Sequence, residues 1–400
     1  MQSRFKLNPL CLALLALSPS TLMAATEAKT DDALELSETH VVATAEEELK
    51  QAPGVSLITA EDIKKRPPVN DLSEIVRKMP GVNLTGNSAS GTRGNNRQID
   101  LRGMGPENTL ILIDGKPVTS RNSVRYTRSG ERDTRGDSNW VPANEVESIE
   151  VLRGPAAARY GSGSMGGVVN IITKRPTQEM TGSITAFTNL PEDDAEGVTK
   201  RTTFSLAGPL TDSLTFRVYG NLNKTDADDA DINQAHTDTA SGASLAAGRE
   251  GVRNKDVNAL LSWALDNQQT IDFETGFSRQ GNIYTGDVGT GGTESLTPGS
   301  TINGWLGRET NTMYRQNFSV THRGDWEFGT SRLVAQYEKT RNDRLLEGQT
   351  GSVDGDISAN AEKSLSTYDS YLVQGQLDIP LDVLRPQTLT LGAEWNYQEL

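Results

Sequence analysis

The sequence predicts a transmembrane β-barrel with a small N-terminal α/β domain lodged in its lumen. Three observations carry this. Beyond Pro176, apolar and polar residues alternate with a period of two in runs of about ten residues, the mark of strands with one face in lipid. The connections between these runs alternate between short and long. Residues 51–175 break that pattern, mixing helical spacing with short strand-like runs.

Composition removes several alternatives. No run of eighteen apolar residues occurs, so no helix of this chain is expected to span a bilayer. The one cysteine, Cys11, excludes a disulfide framework and a thiolate metal site. The three histidines, His40, His236 and His322, are too scattered for a zinc centre. A formal net charge of −14 argues against a broad nucleic-acid surface.

Residues 1–24 read as a secretory signal peptide. Arg4 and Lys6 supply the positive start, Leu10 to Leu17 the apolar core, Pro19 and Ser20 its end, and Met23-Ala24-Ala25 the small residues for cleavage. Residues 25–45 form a polar, acidic tail, unable to bury enough apolar surface to order itself. Its apolar streak, Glu38, Thr39, His40, Val41, Val42, Ala43, Thr44 and Ala45, has the composition to add as a strand to another protein's sheet edge.

Residues 46–175 are expected to be a globule. Thr59-Ala-Glu-Asp62 resembles a capping box before Ile63. Leu72, Ile75, Val76 and Met79 repeat at helical spacing until Pro80-Gly81 stops them. Strand-like runs follow at Ile99–Arg102, Thr109–Ile113 (before an Asp114-Gly115 turn), Ile149–Leu152 and Val168–Thr173.

Residues 176–400 are expected to be the barrel. Leu214, Phe216, Val218 and Leu222 share one face, with Thr215, Arg217, Tyr219, Asn221 and Asn223 on the other. Val257, Ala259, Leu261, Trp263 and Leu265 repeat the pattern, as do Ile271, Phe273 and Phe277 against Asp272 and Glu274, and Leu389, Leu391, Ala393, Trp395 and Tyr397 against Thr388, Thr390, Glu394 and Asn396. Gly208–Ser213, Asp266–Gln269, Gly324–Thr330 and Pro380–Pro386 are short connections. Thr225–Val252, Asn282–Thr312 and Leu345–Thr367 are long and polar. Outer-membrane barrels connect their strands in this way, with tight periplasmic turns and large external loops, whereas a soluble sandwich has no reason to. About nine strands are countable, while an eight-stranded barrel has room only for side chains and a globule needs a lumen of the twenty-plus-strand class. The chain is therefore expected to be the front part of a longer protein.

Motifs with a chemical look have bland readings. Gly161-Ser-Gly163-Ser-Met-Gly166 satisfies a dinucleotide pattern literally, but a strand-like run follows it where a helix is required. Asp226, Asp228, Asp229 and Asp231 lack EF-hand spacing. No catalytic residues and no metal site are assigned.

Arginine concentrates in the globule's loops: Arg93 and Arg97, then Arg121, Arg125, Arg128, Arg132 and Arg135, with Tyr126 among them. Such a cluster focuses a positive field, and guanidinium groups grip oxyanions and stack on aromatic faces. A small, aromatic, multiply anionic ligand suits it; internal ion pairing is the competing reading. Arg102 and Arg153 instead end strand-like runs before a glycine and need acidic partners once water is excluded.

These segments resemble the TonB-dependent outer-membrane receptors, within them the catecholate-siderophore group. The resemblance is carried by Glu38–Ala45, Gln51–Gly54, Met79–Asn87, Gly94–Val118 (GNNRQIDLRGMGPENTLILIDGKPV), Gly130–Asp137 (GERDTRGD) and Val151–Gly161, with local agreement at Leu245–Asp256 and Arg279–Tyr284. His40 and Ala43 stand where the family's TonB box favours Ile and Thr. The resemblance implies a 22-stranded barrel of which the first nine strands are present here, plugged by residues 46–175, in the bacterial outer membrane. It implies TonB-driven import of a ferric catecholate siderophore, with no enzymatic step and no cofactor, the iron travelling as the siderophore complex. Tyr284, Trp305, Arg308 and Arg315 are the outer-loop ligand candidates, Glu38–Ala45 the TonB box, and Arg102 and Arg153 plug arginines whose barrel carboxylates lie beyond residue 400. Partners implied are the siderophore, TonB with its energising complex, and outer-membrane lipid; phage and colicins are left open.

Overall fold

The computed structural model describes residues 54–65, 71–85, 97–124, 132, 134, 136–154, 160, 163–229, 232, 249–284, 307–345, 349–350, 353–354, 363–383 and 385–400. Two sheets dominate it. The first is a five-stranded sheet in the N-terminal globule, built from β1 (Val55–Thr59), β4 (Thr109–Ile113), β5 (Lys116–Pro117), β6 (Val146–Arg153) and β7 (Gly167–Thr173) in the order β1-β6-β7-β4-β5. Only the β4–β7 pairing is parallel. A separate pair, β2 (Val82–Thr85) and β3 (Gln98–Leu101), runs antiparallel.

Local chemistry sets these elements. Helix α1 (Ala60–Lys64) starts on the expected capping box, the Thr59 hydroxyl accepting from the Asp62 N–H and the Asp62 carboxylate from the Thr59 N–H. Helix α2 (Leu72–Val76) is capped by Asp71, which accepts from the Ser73 N–H at 2.9 Å. It is shorter than the helical spacing predicts and ends before Met79, because Pro80-Gly81 follows, with Gly81 at a positive φ of 71°. Leu72, Ile75 and Val76 pack on Ile58, Ile149 and Ile171 to make the globule's core. The turn after β4 places Asp114 and Gly115 both at positive φ, the hairpin geometry their sequence favours. Gly167 opens β7 where an added Cβ would lie 2.1 Å from the Leu152 carbonyl oxygen, and a strand, not a helix, follows the glycine-rich run.

The second sheet has nine antiparallel strands among the described residues, each beside its sequence neighbours. They are β8 (Thr181–Asn189), β9 (Thr199–Thr211), β10 (Leu214–Thr225), β11 (Gly251–Ala264), β12 (Gln269–Ile283), β13 (Glu309–Trp326), β14 (Gly329–Leu345), β17 (Lys363–Val383) and β18 (Arg385–Glu399). A two-residue pair, β15 (Gln349–Thr350) and β16 (Val353–Asp354), sits in the connection between β14 and β17. Two expectations need correcting. Most strands are longer than the ten residues read from alternation, reaching 21 in β17, because pairing continues past the apolar band into polar ladders. The expected loop Leu345–Thr367 is shorter, since β17 already begins at Lys363. The alternation of short and long connections holds.

Burial of the two faces is inverted relative to a soluble sandwich. On β10, Arg217, Tyr219, Asn221 and Asn223 are buried, while Leu222 is 58 % exposed and Phe216 and Val218 are partly exposed. Leu206, Trp263, Leu333, Val373 and Leu391 likewise present apolar surface outward. The buried polar face is the one the globule packs against, through strands β9 to β17. Apolar surface of this extent, in a regular two-residue alternation, belongs against lipid.

Candidate functional site

The site is the seam between globule and wall, together with the arginine-bearing loops it positions. From β4 to residue 124 the chain climbs the wall. Arg332, near the short-turn end of β14, donates to the Asp114 carbonyl at 3.2 Å; Gln336 donates to the Pro117 carbonyl at 3.1 Å. Farther up, Thr119 reaches Glu338, and at the long-loop end Asn122 meets Tyr368 at 3.2 Å while Ser366 donates to the Ser123 carbonyl. Residues 125–131, which carry Arg125, Tyr126 and Arg128, follow directly in sequence from this upper end.

Ion pairs hold the rest of the seam. Lys116 pairs with Glu274, Glu145 with Arg217, and Arg175 with Asp272 at 2.8 Å, the last carboxylate also taking Arg323 from the wall. Alternation in β12 puts Asp272 and Glu274 on the inner face; which globule residue each meets is not readable from it. These wall carboxylates, with Glu338, are the functional residues that sequence reasoning missed.

The expected ligand arginines divide. Arg97 pairs with Asp71 and Glu74, both at 3.2 Å, which ties β3 to α2. Arg121, 9 % exposed, donates to the Pro106 carbonyl at 2.7 Å and the Thr109 carbonyl at 3.1 Å and faces Asp137 at 3.5 Å. Arg132 pairs with Glu107 at 3.0 Å and spans the carbonyls of Arg121 and Val124. Arg315 projects inward from β13 onto Glu338 at 2.8 Å and lies over the Trp140 ring. A guanidinium withdrawn from water needs fixed acceptors, and each of these four has them within the protein. They brace the loops. Tyr284, buried, and Arg308, exposed, are brought together across the ends of β12 and β13, the Tyr284 N–H donating to the Arg308 carbonyl at 2.9 Å. Arg93, Arg125, Tyr126, Arg128, Arg135, Trp305 and the segment Glu38–Ala45 lie outside the described residues.

At the centre of the bracing sits Asp137. Its carboxylate accepts from the Ser120 hydroxyl and from the Arg121 N–H at 2.8 Å, and Ser120 in turn accepts from the Trp140 indole at 2.7 Å. Complete burial raises its pKa from 3.8 to about 6 against the opposing pull of Arg121.

Arg102 and Arg153 converge around three glycines. The Arg153 guanidinium donates to the Gly54 carbonyl at 3.0 Å and the Ser56 hydroxyl at 2.8 Å, and an added Cβ on Gly154 would meet Arg102 at 3.2 Å. Partial burial and the neighbouring Arg102 hold the Arg153 pKa below the usual guanidinium range. Neither has a carboxylate partner among the described residues.

A polar-lined wall wrapped around a small mixed sheet, seated by buried ion pairs, is the arrangement of a plugged outer-membrane barrel. Residues 48–168 match the TonB-dependent Receptor Plug Domain family. That part of the chain belongs to the plug family of the TonB-dependent receptors. It is 61 % identical over 389 residues to a ferric enterobactin receptor, PirA, of Pseudomonas aeruginosa, covering 96 % of this chain and 51 % of that protein. It is 53 % identical over 384 residues to the ferrienterobactin receptor of Escherichia coli K12, covering 94 % and 51 %. Among solved structures, the siderophore receptor PirA of Acinetobacter baumannii superposes with a TM-score of 0.80 at 56 % identity, over 89 % of this chain and 49 % of that one. A mutant ferric enterobactin receptor of Pseudomonas aeruginosa, in complex with enterobactin, superposes with a TM-score of 0.78 at 60 % identity, over 87 % and 50 %. The chain spans about half the length of the curated relatives it matches. With a plug of this family and a barrel wall it is a protein of the bacterial outer membrane, and its relatives are receptors rather than enzymes.

Proposed function

We propose that the full-length protein imports a ferric catecholate siderophore, ferric enterobactin foremost, across the outer membrane with energy from TonB. The observation that carries this reading is the identity of about three residues in five, over nearly the whole chain, to receptors named for ferric enterobactin. The chemistry agrees. The ligand is aromatic and trianionic, and the sequence between residues 93 and 135 carries Arg93, Arg125, Arg128 and Arg135 with Tyr126. These, with Trp305 and Arg308, are the proposed ligand contacts; Tyr284, Arg97, Arg121, Arg132 and Arg315 hold their supports in place.

No covalent step is needed and no cofactor is proposed, the iron being cargo. In this reading residues 1–24 are removed on export. Residues 46–175 form the plug and 176–400 the first part of the barrel. Glu38–Ala45 adds as a strand to a TonB sheet edge, where main-chain hydrogen bonds supply the affinity. Pulling on it disturbs a seam made of a few discrete contacts. Arg102 and Arg153 are proposed to pair with wall carboxylates beyond residue 400.

Titration of the purified full-length receptor with ferric enterobactin and with a ferric hydroxamate tests the ligand class. The catecholate is expected to bind at least a hundredfold more tightly, with affinity falling as salt rises. Equal binding of both would sink the catecholate assignment.

A further inference from the structure

The outer face of the sheet carries a patch of cations that neither the seam nor the ligand loops use. Lys200 on β9, Lys224 on β10 and Arg253 on β11 are partners in register, and Lys255 on β11 is opposite Arg279 on β12. Their chain neighbours Arg201, Asn223, Asn254 and Asp256 are buried on the inner face, so by strand alternation these five point outward. Nearer the short turns the same outward rows are apolar, with Phe204, Leu206, Leu222 and Val257. The stretch of β10 from Leu214 to Leu222 covers about 30 Å at ~3.4 Å per residue, the height of a tilted strand's apolar band. Lys224 stands two residues beyond it, on the long-loop side. The patch is therefore level with the headgroups of the outer leaflet.

Like charges directly opposite on neighbouring strands repel. Here Lys224 has Lys200 on one side and Arg253 on the other. The carboxylates at hand are Asp226, paired with Lys224, and Glu309, which takes Arg279 at 2.5 Å and lies 3.8 Å from Arg253. Lys200 and Lys255 have no anionic partner among the described residues. Two of the five therefore lack a counter-charge there, and a phosphate group beside the row would supply one. Side chains directly opposed have Cβ atoms about 5 Å apart, close enough for their flexible ends to meet one phosphate group. Their stems can lie along Leu222 and the apolar row below, where acyl chains run.

We propose that Lys200, Lys224, Arg253, Lys255 and Arg279 form a binding site for the phosphorylated headgroup of an outer-leaflet lipid. The site rests on the membrane orientation of the sheet and not on the identity of the imported ligand, which travels through the lumen on the other face.

The test is native mass spectrometry of the full-length receptor in mild detergent, titrated with diphosphoryl lipid A and with the same lipid stripped of phosphate. Wild type should bind the diphosphoryl form at least tenfold more tightly than the stripped form. The triple variant Lys200→Gln, Lys224→Gln, Lys255→Gln should lose that preference while binding ferric enterobactin as wild type does. The matching Lys→Arg triple should keep it. Equal lipid binding by wild type and the Gln variant would overturn the proposal, as would no preference for phosphate in wild type. Displacement of the lipid by an equal concentration of inorganic phosphate would overturn it too, because the site would then be one for free anions. Loss of ferric enterobactin binding in wild type itself would count against the import reading and leave the lipid result standing.

Discussion

Glu338, on the inner face of β14, accepts a 3.1 Å hydrogen bond from the backbone N–H of Thr119 in the plug, and the Thr119 hydroxyl approaches it at 3.3 Å. Its charge is balanced within the wall, by Arg315 at 2.8 Å. The plug is thus held here by neutral donors on a pre-neutralised carboxylate. Releasing them strands no plug charge, which suits a contact meant to be broken and remade. At Lys116–Glu274 and Glu145–Arg217 the opposite holds, and separation would leave buried charges unpaired on both sides.

Replacing Glu338 with Ala leaves Arg315 buried without its counter-charge. A loss of about 3–5 kcal/mol is expected for breaking one side of such a pair. The double variant Glu338→Met, Arg315→Met should recover most of it. Thermal unfolding of the full-length receptor measures both; an Ala variant as stable as wild type would remove Glu338 from the seam.

Gly167→Ala should be among the most damaging single changes in the plug. Its φ of +141° suits glycine, and the new Cβ would lie 2.1 Å from the Leu152 carbonyl oxygen, which is backbone and cannot swing away. The β6–β7 pairing is expected to open, and limited proteolysis should cut the plug while the barrel stays intact. Unchanged resistance to protease would contradict the packing described.

Val218 sits midway along the outward apolar row of β10. Val218→Arg is expected to cost about 2–4 kcal/mol, as for a cation at the bilayer midplane, and Val218→Leu almost nothing. Folding titrations into lipid vesicles read the difference. Equal stability of the two variants would place this face against protein or water.

Asp137 makes the plug's bracing pH-dependent. Its pKa is raised by burial from 3.8 to about 6, so the folded state favours the protonated form. The contribution is complete below about pH 4 and is lost as pH rises through 6. Relative to Asp137→Asn, which has no proton to lose, wild type should gain on the order of 2–3 kcal/mol between pH 7 and pH 4. Unfolding of both proteins across that range checks it. A constant difference would mean that Asp137 titrates normally.

Much of this was legible in the residues. The two-residue alternation gave the faces of β10, β11 and β12, and the Thr59–Asp62 and Asp114-Gly115 patterns placed a cap and a turn, because each depends on a few neighbouring residues. Strand ends were less legible. Ladders such as the one reaching Asp343 and Arg344 in β14 continue above the membrane, where nothing requires apolar residues. The arginines were the hardest to read. Composition marks Arg93 through Arg135 as one cluster, yet Arg121 and Arg132 are consumed by Asp137, Glu107 and backbone carbonyls. Those acceptors become neighbours only through folding, and no local spacing announces them.

The central claim is that a plug seated on this wall is moved by TonB to pass a ferric catecholate. Iron-55 uptake from ferric enterobactin tests it most directly, in cells whose only such receptor is the full-length protein, with and without Val41→Pro. Proline removes a backbone donor and fixes φ in the segment that would pair with TonB. Wild type should accumulate iron only when TonB is present, and the variant should bind ferric enterobactin normally yet accumulate none. Uptake by the variant at the wild-type rate, or by wild type without TonB, would contradict the account.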